Sequence, residues 1–179
     1  GWGAKTYVKK LLANFEIMFN EPPKKWLAPL DPKDHPEMDE SPFLDSIGIK
    51  QYQSIMGALQ WAITLGRFDV LPAVVSLSSF RVAPRRGHME RAKRVCGYLR
   101  EHNDGALRFR TLIPDHEARY TKPDVSWMQT VYGNVEEELP HNMPTPKGKQ
   151  VRTTTYVDAN LMHCLVTGRS LTGIIQFVN

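Results

Sequence analysis

Apolar residues recur at steps of three and four from Gln51 onward. Tyr52, Ile55, Met56, Leu59, Ala62 and Ile63 form one stripe, which predicts a helix with a buried face. Gly66 lies just past its end, where a helix commonly needs a residue that tolerates positive φ. Asp69 then stands as an N-cap for the next helix. Pro72 falls in that helix's first turn, where its missing N–H does no harm. Val70, Leu71, Val74, Val75 and Leu77 make this second helix apolar over much of its circumference, so it is expected at the buried centre of the block. After Pro84 and Gly87 a third helix follows, with Met89, Ala92, Val95, Cys96 and Leu99 on one stripe, Arg91 and Arg94 pointing the opposite way, and Lys93 and Arg100 flanking it.

The same spacing appears upstream. Val8, Leu11, Leu12, Phe15, Met18 and Phe19 predict an amphipathic helix from about Lys5 to Phe19, with Lys5, Lys9 and Lys10 available to solvent. From Pro22 to Asp45 six prolines remove backbone donors and hold φ, so an extended connector is expected there, pinned by Trp26 and Leu27. Downstream of the helices the period changes to two. Asn103-Asp104-Gly105 signals a turn before alternating Leu107, Phe109, Thr111 and Ile113, and strand-compatible pieces around Val125, Trp127, Val131 and Tyr132 follow. Pro140, Pro144 and Pro146 mark a loop. The β-branched and aromatic run Val151 to Val157 predicts a strand that delivers Asp158 at its end, and a connection through Gly168 leads to a second strand, Leu171 to Val178.

Charge sharpens this picture. The formal net charge is only +4 over 179 residues, but Arg81, Arg85, Arg86, Arg91 and Arg94 crowd around the third helix while acidic residues crowd into Asp31 to Asp45 and Glu136 to Glu138. A basic surface beside an acidic linker suits a polyanion partner; solvated helix faces are the plain alternative. Cys96 and Cys164 are too few to define a disulfide framework, and no paired Cys or His spacing suggests zinc. No signal peptide and no apolar run long enough to span a bilayer is present, so an intracellular setting, in a cytoplasmic particle or the nucleus, is expected. Gly1-Trp2 at one end and Val178-Asn179 at the other read as cuts in a longer chain.

The pieces Tyr52-Gln53-Ser54-Ile55-Met56-Gly57-Ala58-Leu59, Arg67-Phe68-Asp69-Val70, Val75-Ser76-Leu77-Ser78-Ser79-Phe80, Pro84, His88, Ala92-Lys93-Arg94-Val95 and Tyr98-Leu99 together resemble the copia-type retrotransposon polyprotein. Phe68 and Gly97 depart from its usual residues. The resemblance implies an α+β chain: a thumb-like helix over residues 1–21, a Pro-rich acidic linker over 22–48, a helical connection with short strands over 49–139, and the opening hairpin of a truncated ribonuclease H-like domain over 140–179. Thr155-Tyr156-Val157-Asp158-Ala159-Asn160, with Arg169, Ser170 and Gly173, carries the last assignment, and Asp158 matches the family's first catalytic, metal-binding carboxylate. Asn160 stands where an acid is common in the family.

Ribonuclease H chemistry uses two divalent ions, magnesium by resemblance, which activate water and stabilise the leaving oxygen and are held by several carboxylates. Asp158 is one; the remaining ligands are expected beyond Asn179. His163 reads as structural or solvated. Tyr156-Val157-Asp158 is followed by Ala159, so the paired aspartates of a polymerase palm are missing, and no glycine-rich phosphate loop or nucleophile elbow occurs. The fragment alone is therefore expected to be inactive. It would bind template–primer or RNA–DNA hybrid through Lys9, Lys10, Arg85, Arg86, Arg91 and Arg94, and join an upstream polymerase to a downstream nuclease. The rivals are a non-enzymatic helical protein-interaction module and the product of a decayed element.

Overall fold

Among the described residues, stripes of apolar side chains at helical spacing define four α-helices, α1 (Lys5–Phe19), α2 (Ser46–Thr64), α3 (Leu71–Ser78) and α4 (Arg86–Glu101). The structure, a computed structural model, describes residues 2–108, 126, 129–130, 133–134, 140–145, 147–148, 153–160 and 163–178. Val8, Leu11 and Phe15 of α1 meet Tyr52, Ile55, Met56 and Leu59 of α2, Val74 and Leu77 of α3, and Met89, Val95, Cys96 and Leu99 of α4 in one core. A Leu in such a site contributes roughly 2–5 kcal/mol relative to Ala, so these stripes are what holds the bundle. α2 and α4 each pack against all three other helices. They, not α3, form the centre: Leu71 and Val75 of α3 are exposed, because that helix closes one side of the bundle with only its Ala73, Val74 and Leu77 edge.

The joints follow local chemistry. Asp45 caps α2 by accepting from the Gly48 amide at 2.7 Å. Gly66, at φ +102°, turns the chain after α2 as a residue without Cβ readily does. Asp69 does not cap α3. A short 3-10 turn, Phe68–Val70, leads into that helix, and the Asp69 carboxylate instead accepts from Arg67 Nε at 2.9 Å and Nη2 at 2.7 Å. Arg67 is almost wholly buried, and a buried guanidinium demands such a partner more strongly than a short helix demands a cap. Tyr52 ties α2 to the end of α3 by donating from its hydroxyl to the Leu77 carbonyl at 2.7 Å.

Short antiparallel strands accompany the helices. β1 (Trp2–Gly3) pairs with β2 (Ala106–Leu107), and β3 (Gln129–Thr130) pairs with β4 (Gly133–Asn134). β5 (Thr153–Asn160) pairs with β6 (Leu171–Val178). The chain is thus α+β. Strand expectations at Phe109, Thr111, Ile113, Val125, Trp127, Val131 and Tyr132, the start of the strand at Val151, and the acidic run Glu136 to Glu138 lie outside the described residues. Asp158 sits within β5 rather than at its end, because pairing continues to Asn160. The chain divides into two compact units, Gly1–Phe109 with Ala159–Thr172, and Arg110–Asp158 with Gly173–Asn179. Among the described residues, no helix is long and apolar enough to cross a membrane.

Candidate nucleic-acid interface

Lys5, Lys9 and Lys10 lie outside the buried stripe of Val8, Leu11 and Phe15 on α1, and all three are exposed. The helix's own periodicity sets this arrangement. No acidic residue lies in the first turn to offset Lys5. Arg86, at the start of α4, is also exposed.

The remaining arginines of α4 are occupied. Residues 23–44 form a strap that runs antiparallel along this helix, its contacts moving from Arg100 back to Pro84 as the strap advances. The Pro23 carbonyl accepts from Arg100 Nη1 at 2.8 Å, and the Trp26 amide donates to the Gly97 carbonyl at 3.4 Å. The Ala28 carbonyl accepts from Arg94 Nε at 3.2 Å, while Asp31 pairs with Arg94 Nη1 at 2.5 Å. Asp34 takes Arg91 in a fork, at 2.8 Å from both Nε and Nη2, and Asp39 takes Nη1 of the same guanidinium at 2.5 Å. Arg85 donates to the Ser41 carbonyl at 2.6 Å and stacks on Phe43, with its guanidinium carbon 4.0 Å from the ring centroid. Arg94 likewise stacks on Trp26 at 4.2 Å. Bidentate, charge-assisted pairing of this kind fixes geometry as well as adding energy.

Electrostatics follow from these contacts. Burial pushes the Asp39 carboxyl up, but hydrogen bonds from Ser41 and Arg91 outweigh it and hold the group below its ordinary value of 3.8. The Asp34 hydrogen bonds, with those of Asp39, raise Arg91 despite its partial burial. His88 is buried under the strap, with the Arg85 amide donating to its Nδ1 at 3.0 Å and its Nε2 facing the Pro36 carbonyl at 2.8 Å. Those partners assign the neutral ring with its proton on Nε2. Between the strap and the helix lies a cleft of about 430 Å³, lined by Phe15, Trp26, Asp34, Arg91 and Arg94 among others.

The structure therefore separates the sequence-predicted basic set. Lys9, Lys10 and Arg86 face solvent; Arg85, Arg91 and Arg94 are engaged by the strap. Trp26 helps to pin the strap, whereas Leu27 is exposed and does not. No family model, curated protein or solved structure matches this chain. Asp158 is exposed on β5, and among the described residues no group of three or more His, Cys, Asp or Glu side chains is placed to hold a metal ion. His163 faces the Asn160 side-chain amide at 3.1 Å in the turn between β5 and β6. Nearby Cys164 has its thiol lowered from the ordinary value of 9.0 by hydrogen bonds from Thr167. Cys96, wholly buried in the core, is pushed up to about 12.

Sequence reasoning placed Arg91 and Arg94 on the correct side of α4 but missed what they meet. One signal was available: Gly87 and Gly97 lie on that side. A Cβ at Gly97 would overlap the Lys24 carbonyl oxygen, and one at Gly87 would overlap the Asp39 carboxylate. Two glycines spaced ten residues apart on the polar face of a helix mark where backbone or side chain of another segment comes close.

Proposed function

We propose that this chain is a fragment of a copia-type reverse transcriptase/ribonuclease H polyprotein that binds template–primer or RNA–DNA hybrid and links polymerase to nuclease. The observation that carries the reading is the lysine face of α1. Lys5 stands in the first turn, where a positive charge opposes the helix dipole and costs stability. Lys9 and Lys10 continue the exposed basic surface for another turn. A duplex backbone is a ligand that such a surface fits, through phosphate contacts that give affinity without sequence preference.

The ribonuclease H-like part of the proposal rests on Asp158 and the β5–β6 pair. In the complete domain Asp158 would contribute one carboxylate to bound magnesium, which supplies charge stabilisation and an activated water. The described residues do not complete such a site, so no catalytic step is assigned to them.

Fluorescence anisotropy of a labelled RNA–DNA hybrid across a salt series tests the binding. Affinity is expected to fall log-linearly with salt, and Lys9→Ala with Lys10→Ala should make the slope shallower by about 0.9 for each phosphate no longer neutralised. A double variant with the parent's affinity and slope would remove α1 from the interface.

A second reading, a helical protein-interaction module, is favoured by Phe68, Leu71 and Val75. These recur at steps of three and four and remain exposed despite their size. It predicts weak, hybrid-independent binding in the same titration.

A further inference from the structure

The strap meets α4 largely through charge, although its Leu30 and Leu44 also pack half-buried against the core. Between Glu21 and Asp45 only Pro23 and Pro36 are buried, while the larger apolar residues Leu27, Met38 and Phe43 stay exposed at 81%, 55% and 59%. Apart from Leu30 and Leu44, lifting the strap would uncover little apolar surface. It would also uncover guanidinium: Arg91 and Arg94 on the polar side of α4, Arg85 at its N-cap and Arg100 in its last turn.

We infer that this arginine face is a masked binding surface for a nucleic-acid phosphate backbone, and that the acidic strap is its internal competitor. The inference rests on the nucleic-acid reading above and extends the interface from α1 to α4. Carboxylate and phosphate present the same recognition element to arginine, two oxygens in a plane matching the guanidinium fork, so the geometry Asp34 makes with Arg91 is one that a phosphate reproduces. Asp31, Asp34 and Asp39 meet Arg94 and Arg91 at successive positions, as a run of phosphates would. The Asp31 carboxylate is 67% exposed, which opens its pair to salt and to exchange.

The strap is also tethered at both ends, to α1 at Phe19 and to α2 at Ser46. A tethered ligand competes at high effective concentration without high intrinsic affinity. The closed arrangement is thus the resting one, and a duplex reaches the arginines only where many phosphates act together. Isolated anions would not open it.

Two experiments on the full chain test this. In the first, Asp31→Asn, Asp34→Asn and Asp39→Asn are combined, with Glu136→Gln, Glu137→Gln and Glu138→Gln as a control that makes the same change in charge outside the strap, α1 and α4. The strap variant is expected to bind RNA–DNA hybrid at least about tenfold more tightly than parent and control. Its salt slope should steepen by about 0.9 for each further phosphate neutralised. Unchanged affinity and slope, while the parent binds through Lys9 and Lys10, would overturn the mask and leave the α1 reading standing. No binding by parent or variant at low salt would sink both.

In the second, hydrogen exchange of the unmodified protein is followed with and without hybrid, so that no variant has to fold. Amides of Trp26, Asp34, Met38 and Asp39 should exchange faster in the complex while those of α2 stay protected. Unchanged or slower exchange in the strap would overturn the inference. So would loosening by polyglutamate but not by hybrid, which would make α4 a dock for acidic peptide.

Discussion

Gly97 and Gly57 are both helical glycines, and their surroundings give them opposite consequences. Around Gly57 nothing lies within 4 Å of a Cβ, so Gly57→Ala removes conformational freedom from the unfolded chain at no steric cost. It should stabilise the protein by about 0.5–1 kcal/mol. At Gly97 the obstacle is backbone, the Lys24 carbonyl, which has no rotamer to escape into. Gly97→Ala should push the strap off this turn of α4 and cost roughly 1–3 kcal/mol despite the better helix propensity of alanine. Urea unfolding of the two variants checks the pair. Equal shifts in midpoint would mean that the strap does not press on α4 at this point.

The same contact explains why position 97 holds a glycine. Residue identity there is set by a segment far away in sequence, which no local pattern announces. Arg67 shows the same dependence on surroundings. Its side chain is buried, so it captures Asp69, and the capping role that spacing suggested for that aspartate yields to an ion pair. Burial pushes the Asp69 carboxyl up, but Arg67 and Tyr98 outweigh it and hold the group below its ordinary value.

At the scale of elements, the four helices were legible because each advertises a stripe at steps of three and four. Every residue predicted for the stripe of α4, and all but Ile63 of that for α2, is buried. The strap was legible only as an extended connector. Its docking is polar and long-range, with carboxylates and carbonyls finding arginines dozens of residues away, and such contacts leave no periodicity. Proline content told that the segment is largely free of regular structure, not that it winds into a 3-10 turn at Pro36–Met38, nor where it lies.

His88 makes the strap–helix junction sensitive to acid. Burial lowers its affinity for a proton, against the opposing influence of the Pro36 carbonyl and Asp39; Arg91 and Arg85 lower it further, and the ring stacks on Phe80 at 4.0 Å. Because the folded value is depressed, the unfolded chain takes up the proton first as pH falls. The stability associated with His88 is complete above its ordinary value of 6.5 and is lost as pH drops from there toward the folded value. Asp39 and Asp69 give a second loss of the same sign below their ordinary 3.8. Urea midpoints measured from pH 8 to pH 3 should therefore fall in two steps. A His88→Gln variant should lack the first step relative to its own neutral-pH stability; if the step persists, another group causes it.

At the scale of the whole molecule, the core and the candidate metal-binding residue belong to different parts of the chain. Among the described residues, every buried hydrophobic side chain lies between Ala4 and Leu99. β1 pairs with β2, so Trp2–Gly3 is joined to Ala106–Leu107 and the ends of this stretch close on each other. Residues 163–172 contribute no buried side chain, and where the Leu165 amide donates to Glu37 of the strap, at 3.1 Å, the contact is exposed. On β6, Ile174 and Ile175 are adjacent, point to opposite faces of the strand, and are both exposed at 64% and 61%. The stability of the bundle should therefore reside in residues 1–108. A chain ending at residue 108 is expected to keep its helical circular dichroism and a single cooperative urea transition, with a free energy within about 0.5 kcal/mol of the full chain, as for changes away from buried features. It should also keep the Lys9- and Lys10-dependent salt slope for hybrid, since α1 and the strap are intact. Loss of cooperativity on truncation would show instead that the C-terminal residues complete the core, and the helical block would then be one layer of a larger fold rather than a domain that carries the interface by itself.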